Sequence, residues 1–265
     1  IKISATPAEA GSRSVELIVE IPQTDVKVKL TIIQSKYYKV GDLYVVNGEP
    51  LGLVYEISDG GAHGKVVALK AHRDLNLWYR TGLPYDEIHP EDPNNVGVIA
   101  RSETDGQENM KAYKQIPDWK THYPVAAYVS DLNDENGNPG WYLPAIKEVQ
   151  AMVGWIDGEV LSPDGEAGQE PSEAMKEKRK AINQLIVDNG GNEFYFYGYD
   201  VSFIIDQTNA WEADYFNRIY TSTETDYQVH PMVFKFYLRN GWWETMHVYV
   251  DLDGSYGEVR PFLAF

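Results

Sequence analysis

The chain has 265 residues, 43% hydrophobic and 24% charged, which suits a globular protein with a sizeable core rather than a disordered one. Its formal net charge of −17 disfavours nucleic acid and anionic membrane as partners, because like charges repel at long range. It has no cysteine, which excludes disulfides, thiol catalysis and cysteine-ligated metal, and it has no run of 18 apolar residues of the kind that spans a bilayer as a helix.

The chain opens at Ile1 rather than Met, within residues that read as a strand, and no secretory signal is visible. The expectation is a piece of an exported protein, at the cell surface or anchored in the outer membrane, whose signal segment lies outside it.

In chain order, "RSVELIVEI" at 13–21 and "VKVKLTIIQ" at 26–34 alternate polar and apolar residues around the short connector "PQTD". Period-two alternation of this kind predicts an antiparallel hairpin, with Val15, Leu17, Val19 and Ile21 along one face. Strands are predicted at 43–47, 51–57 and 65–70, with "NGEP" and "DGGAHG" as turns. Residues 71–105 read as loop, punctuated by Pro84, Pro90 and Pro93.

"GQENMKAYKQI" at 106–116 predicts a short helix stopped by Pro117, whereas "YPVAAYVSDL" at 123–132 fits helix or strand. In "GWYLPAIKEV" at 140–149, Pro144 suits a first helical turn. Ile146, Val149 and Val153 then recur at helical spacing, with Lys147, Glu148 and Gln150 on the other side, and Trp141 and Leu143 are placed to fold back as a hydrophobic staple. A second helix is predicted over about 172–189, with Ser172 as its N-cap and "NGG" as its stop; Ala174, Ala181, Ile182, Leu185 and Ile186 form its apolar face. "EFYFYGYD", "RIYTSTE", "MVFKFYL", "HVYVDLD" and "VRPFLAF" read as strands. Strands, then helices, then strands predict an α+β fold.

Six stretches in order carry a family resemblance: "YKVGDLYVVNGEPLGLVYEIS", "TDGQENMKAYKQIPDWKTHYP", "GWYLPAIKEVQAM", "KRKAINQLIVDNGG", "YTSTE" and "VRPFLAF". Together they make residues 36–265 resemble the C-terminal domain of Legionella collagen-like proteins and its bacterial surface relatives. That domain looks C-type-lectin-like and distantly related to the formylglycine-generating sulfatase activator. The family's usual Tyr-Trp before "STE" is Tyr220-Thr221 here. The resemblance implies a twisted antiparallel sheet with two main helices, surface exposure, and adhesion or glycan contact. Residues 1–35 resemble the closing strands of a BACON-type β-sandwich, and that resemblance implies the tail of an immunoglobulin-like module.

The relative's enzyme chemistry needs reactive cysteines, so that activity is not inherited, and a non-enzyme is expected. None of the histidines, at 63, 72, 89, 122, 230 and 247, has a metal-ligand spacing, and no nucleophile elbow, P-loop or dinucleotide fingerprint is present. "DLNDENGNPG" at 131–140 offers a weak calcium candidate in Asp131, Asn133 and Glu135. Against it, Gly137 falls at the seventh place and Tyr142 at the twelfth, where a calcium loop needs glycine sixth and glutamate last, so a solvated acidic loop is the plainer expectation and no cofactor is assigned.

The better binding lead is aromatic. "NAWEADYFNRIY" at 209–220 and "RNGWWETMHVY" at 239–249 put Trp211, Tyr215, Trp242 and Trp243 in loop-like settings beside Asn, Asp and Glu. A flat aromatic covers the C–H face of a sugar ring while the polar side chains bond its rim. The leading expectation is a cell-surface recognition or adhesion domain whose partner is a glycan or a surface protein. The alternative is a structural or tip subunit of a fimbria-like surface assembly, acting through strand pairing.

Overall fold

The alternation in the first 35 residues forms the predicted hairpin. Strands β1 (Ser12–Glu20) and β2 (Lys27–Ser35) pair antiparallel, with Val15 opposite Ile32, Leu17 opposite Leu30 and Val19 opposite Val28. The structure is a computed structural model; it describes residues 12–20, 27–35, 37–73, 100–136, 140–157, 172–194, 218–224, 231–237, 242–247 and 257–265. The chain forms two compact units, residues 1–66 with 264–265, and residues 67–263.

In the first unit, β3 (Leu43–Val46) and β4 (Glu49–Ser58) form a second antiparallel hairpin. Asn47 and Gly48 between them both take positive φ, 53° and 85°, as a two-residue turn matched to strand twist requires. β5 (His63–Ala68) follows a single 3-10 turn at Asp59–Gly61. Gly64 and Phe265 exchange backbone hydrogen bonds of 3.1 and 3.0 Å, and the Phe265 ring meets Tyr38 edge-on at 4.9 Å and Tyr44 at 5.3 Å. Burial pushes the Tyr44 phenol above its ordinary pKa. The four-stranded antiparallel sheet runs β3-β4-β5-β9, where β9 is Phe262–Ala264. The expectation that the "VRPFLAF" segment completes a sheet is therefore met.

In the second unit, Ala68 donates to Pro261 O, and His72 and Val259 exchange two 2.9 Å bonds. The "GQEN" helix, α1, spans Gly106–Tyr113; Asp105 caps it by accepting from Glu108 N–H at 3.0 Å. After the short α2 (Trp119–His122), the ambiguous "YPVAAYVSDL" is settled as helix α3 (Pro124–Asn136). The predicted loop at 131–140 is thus helical as far as Asn136, and the Asn133 side chain fastens that last turn to the Trp141 backbone.

Helix α4 is Ile146–Asp157. Val149 N–H bonds Ala145 O, so Ala145 is the cap and Pro144 lies just outside the helix rather than in its first turn as expected. Ile146, Val149 and Val153 are buried, as the spacing predicts, together with Met152 and Ile156, but Glu148, expected on the outer face, is buried too. α4 packs against α5 (Glu173–Asp188), β6 (Arg218–Glu224) and β7 (Pro231–Tyr237).

Ser172 caps α5 by accepting from Met175 N–H, and the "NGG" stop closes with Gly191 N–H on Ile186 O. Its inner stripe is Arg179, Ile182, Asn183 and Ile186, while Ala174 and Ala181 are exposed. Asn183 belongs inside because it bonds the Phe194 backbone through both its amide groups, at 2.8 and 2.9 Å. β6, β7 and β8 (Trp242–His247) make a separate three-stranded antiparallel sheet. Strands and helices are segregated as in an α+β fold. Among the described residues no helix is long and apolar enough to cross a membrane.

Candidate functional site

The residues singled out for binding reach different fates. Trp211 and Tyr215 lie outside the described residues. Trp242 and Trp243, expected in a loop, instead open strand β8, with Trp242 opposite Tyr237 and Trp243 opposite Phe236. The aromatic, β-favouring run "PMVFKFY" offers them a cross-strand partner, which is why strand wins over loop. Four aromatic residues thereby occupy two adjacent pairs at one end of the β7–β8 ladder.

The calcium candidates sit on α3. Asp131 is paired with Lys120, and Asn133 is engaged twice by the Trp141 backbone, accepting at 2.7 Å and donating at 2.9 Å. Among the described residues no three His, Asp or Glu side chains cluster in a metal-holding arrangement.

The described chain does bring three motif stretches to one buried junction. Glu148, 3% exposed, is its centre. Oε2 accepts from Gly106 N–H at 3.0 Å and Ala145 N–H at 2.9 Å, and Oε1 accepts from Tyr142 O–H at 2.8 Å. One carboxylate thus serves the first turns of both α1 and α4, where helices leave backbone donors unsatisfied and favour negative charge.

The "STE" stretch supplies the rest of the junction. Thr223 Oγ1 accepts from Ile146 N–H at 3.0 Å and donates to Ser102 O at 2.9 Å. Ser222 donates to Pro144 O through its backbone at 2.7 Å and its hydroxyl at 3.1 Å, while Asn109 donates to Ser222 Oγ and Tyr113 to Ser222 O. Gly106 has no substitute here, because a Cβ would lie 2.3 Å from Leu143 O.

A second buried polar cluster is built by "VRPF". Arg260, wholly buried, grips Glu258 through Nε at 2.7 Å and Nη2 at 3.3 Å. It also donates to the carbonyls of Ala68, Leu69, Asn192 and Glu193, and stacks at 4.0 Å on the Phe194 ring. Arg73 donates to the same carboxylate at 3.1 and 3.0 Å. Donors and acceptors in both clusters are directed at one another, so the chemistry they perform is holding chain segments in register.

Sequence reading did not find Glu148 or Arg260 as organisers. Glu148 stands three residues after its cap, the spacing of a capping box, but the cap is Ala145 rather than Ser or Thr, which removes half of that signature. No protein family, curated protein or solved structure matches this chain.

Proposed function

We propose that this chain is a non-enzymatic recognition or adhesion domain of a bacterial cell surface, C-type-lectin-like in fold, that contacts glycans. One observation carries the reading. The stretches that hold the family resemblance, "TDGQEN", "GWYLPAIKE" and "YTSTE", are joined in one set of hydrogen bonds through Glu148, Ser222 and Thr223. That these stretches, far apart in the chain, interlock supports reading them as one motif. The contact surface in this proposal is aromatic: Trp242 at the start of β8, with Trp211 and Tyr215, takes the apolar face of a sugar while neighbouring Asn, Asp and Glu bond its hydroxyls, and Trp243, the next residue of the strand, alternates to the other face of the sheet and offers a separate aromatic contact there. No cofactor is required in this scheme; calcium held by Asp131, Asn133 and Glu135 is the alternative. A glycan array of the exported fragment, run with and without calcium, tests it. Hits weakened by Trp242→Ala and Trp211→Ala are expected, and an array without hits removes the reading.

A second reading is favoured by the hairpin. Among the described residues β1 and β2 form a two-stranded sheet with no third strand, and Ile18 is 60% exposed. Open sheet edges template pairing with another chain, so this chain would be a structural or tip subunit of a surface assembly. Light scattering of the full chain against residues 36–265 alone tests this. Well-folded monomers in both samples remove the reason for strand-mediated assembly.

A further inference from the structure

We infer that Trp119 and Asp118, at the connection between α1 and α2, form a further sugar-binding contact, one that takes a neutral pyranose ring. The inference rests on the glycan-contact reading and goes beyond it by adding a site and a class of sugar.

Trp119 is presented on a fixed stem. Its N–H bonds Ile116 O at 3.2 Å and its carbonyl accepts from Tyr123 N–H at 2.8 Å, and Ile116 and Tyr123 are both buried. Trp119 itself is only half-buried, and Lys114, Gln115, Asp118 and Lys120 beside it are exposed. An indole kept at the surface among polar side chains suits a sugar, which lays its C–H face on the ring and turns its hydroxyls to the polar groups.

Asp118 supplies an independent observation. Residues 116–119 close a turn with Pro117 second and Asp118 third, and Asp118 has φ 53° and ψ 29°. A third place with positive φ ordinarily belongs to glycine, which takes it without steric cost. The Asp118 carbonyl accepts from Thr121 N–H at 2.8 Å and His122 N–H at 3.3 Å, bonds that the backbone of any residue would make. Its exposed carboxylate caps no helix and has no ion-pair partner among the described residues. A side chain that strains the backbone and bonds nothing in the fold is accounted for by a ligand.

The charges narrow the class of sugar. Lys114 Nζ and Lys120 Nζ lie 5.8 and 5.9 Å from the Trp119 ring centroid, and Lys120 is paired with Asp131 at 2.5 Å. The two lysines are matched by Asp118 and Asp131, so this cluster has no net charge with which to draw an acidic sugar. Lys114 can donate to a hydroxyl oxygen and Asp118 can accept from a hydroxyl hydrogen.

A glycan array carrying neutral and acidic sugars, read with the full chain and with Trp119→Leu, Asp118→Asn and Asp118→Gly, tests this beside the thermal unfolding of each protein. Trp119→Leu keeps apolar bulk without the flat ring, and Asp118→Asn keeps a residue that tolerates positive φ without the charge. Neutral-glycan hits should weaken roughly tenfold in each variant. Trp119→Leu and Asp118→Asn should unfold near the parent temperature, and Asp118→Gly should unfold above it while still binding weakly. Full binding by Trp119→Leu or Asp118→Asn overturns the inference, and if Trp242→Ala removes those same hits the glycan reading stands without it. Hits confined to acidic glycans overturn it too, as does an Asp118→Gly variant less stable than the parent. A parent chain that binds no glycan removes both the inference and the reading.

Discussion

Glu148 accepts a hydrogen bond from the backbone N–H of Gly106, 42 residues earlier in the chain, at 3.0 Å. Because the same oxygen accepts from Ala145 N–H, the first turns of α1 and α4 depend on a single side chain. Glu148→Ala would leave three buried donors, on Gly106, Ala145 and Tyr142, without their acceptor. The expected loss is about 3 kcal/mol or more, read as a lowered urea midpoint at unchanged slope. Glu148→Gln keeps one acceptor oxygen and should lose about half as much. Equal stability of Glu148→Ala and the parent would show that these helix starts are held by something else.

Gly106→Ala gives a prediction of unusual sign. Glycine in a helix is ordinarily less stable than alanine by about 1 kcal/mol, so the change should normally help. Here the new Cβ would meet Leu143 O at 2.3 Å and Ala145 N at 2.9 Å, both backbone atoms that cannot swing away. Thermal unfolding should therefore show a lower midpoint, by roughly 2 kcal/mol or more in free energy. A rise in midpoint would mean that the "GWYLP" stretch does not pass this close to α1.

Arg260 binds one carboxylate and four carbonyls from inside the protein. Arg260→Met leaves the buried Glu258 with Arg73 alone and should cost about 3–5 kcal/mol. Arg260→Lys keeps the charge but lacks the planar fork, so it should recover less than half of that loss. Chemical denaturation of the two variants side by side checks it. A lysine variant as stable as the parent would reduce the role of Arg260 to charge alone.

The parts of the fold that were legible in sequence are those written in a single period or a local cap. Alternation in 13–34 gave the β1–β2 hairpin, and Ser172 with "NGG" gave both ends of α5. Three features were hidden because their causes lie far away in the chain. Asn183 holds an inner position on α5, where a purely apolar stripe would place Ala181, since Asn183 serves the Phe194 backbone. Glu148 turns inward because α1 and Tyr142 bring donors to it. Trp242 and Trp243 become strand because β7 lies alongside. Of the aromatic residues proposed for binding, Trp211 and Tyr215 fall outside the described residues, and Trp242 and Trp243 lie in β8.

The calcium alternative has its own check. Asp131 is already paired with Lys120, and Asn133 with the Trp141 backbone, so a cation would have to displace both. Isothermal titration with calcium should therefore show no heat of binding, and the unfolding midpoint should not move on adding chelator. A saturable calcium isotherm abolished by Asp131→Asn would reinstate the site.

The most direct measurement is glycan-array binding of the parent chain beside Trp242→Ala, with both proteins shown to unfold at the same temperature. The account predicts a consistent set of hits for the parent that falls at least tenfold in apparent affinity in the variant, as loss of one stacking aromatic implies. Identical binding by both proteins, or no binding by either, would contradict it.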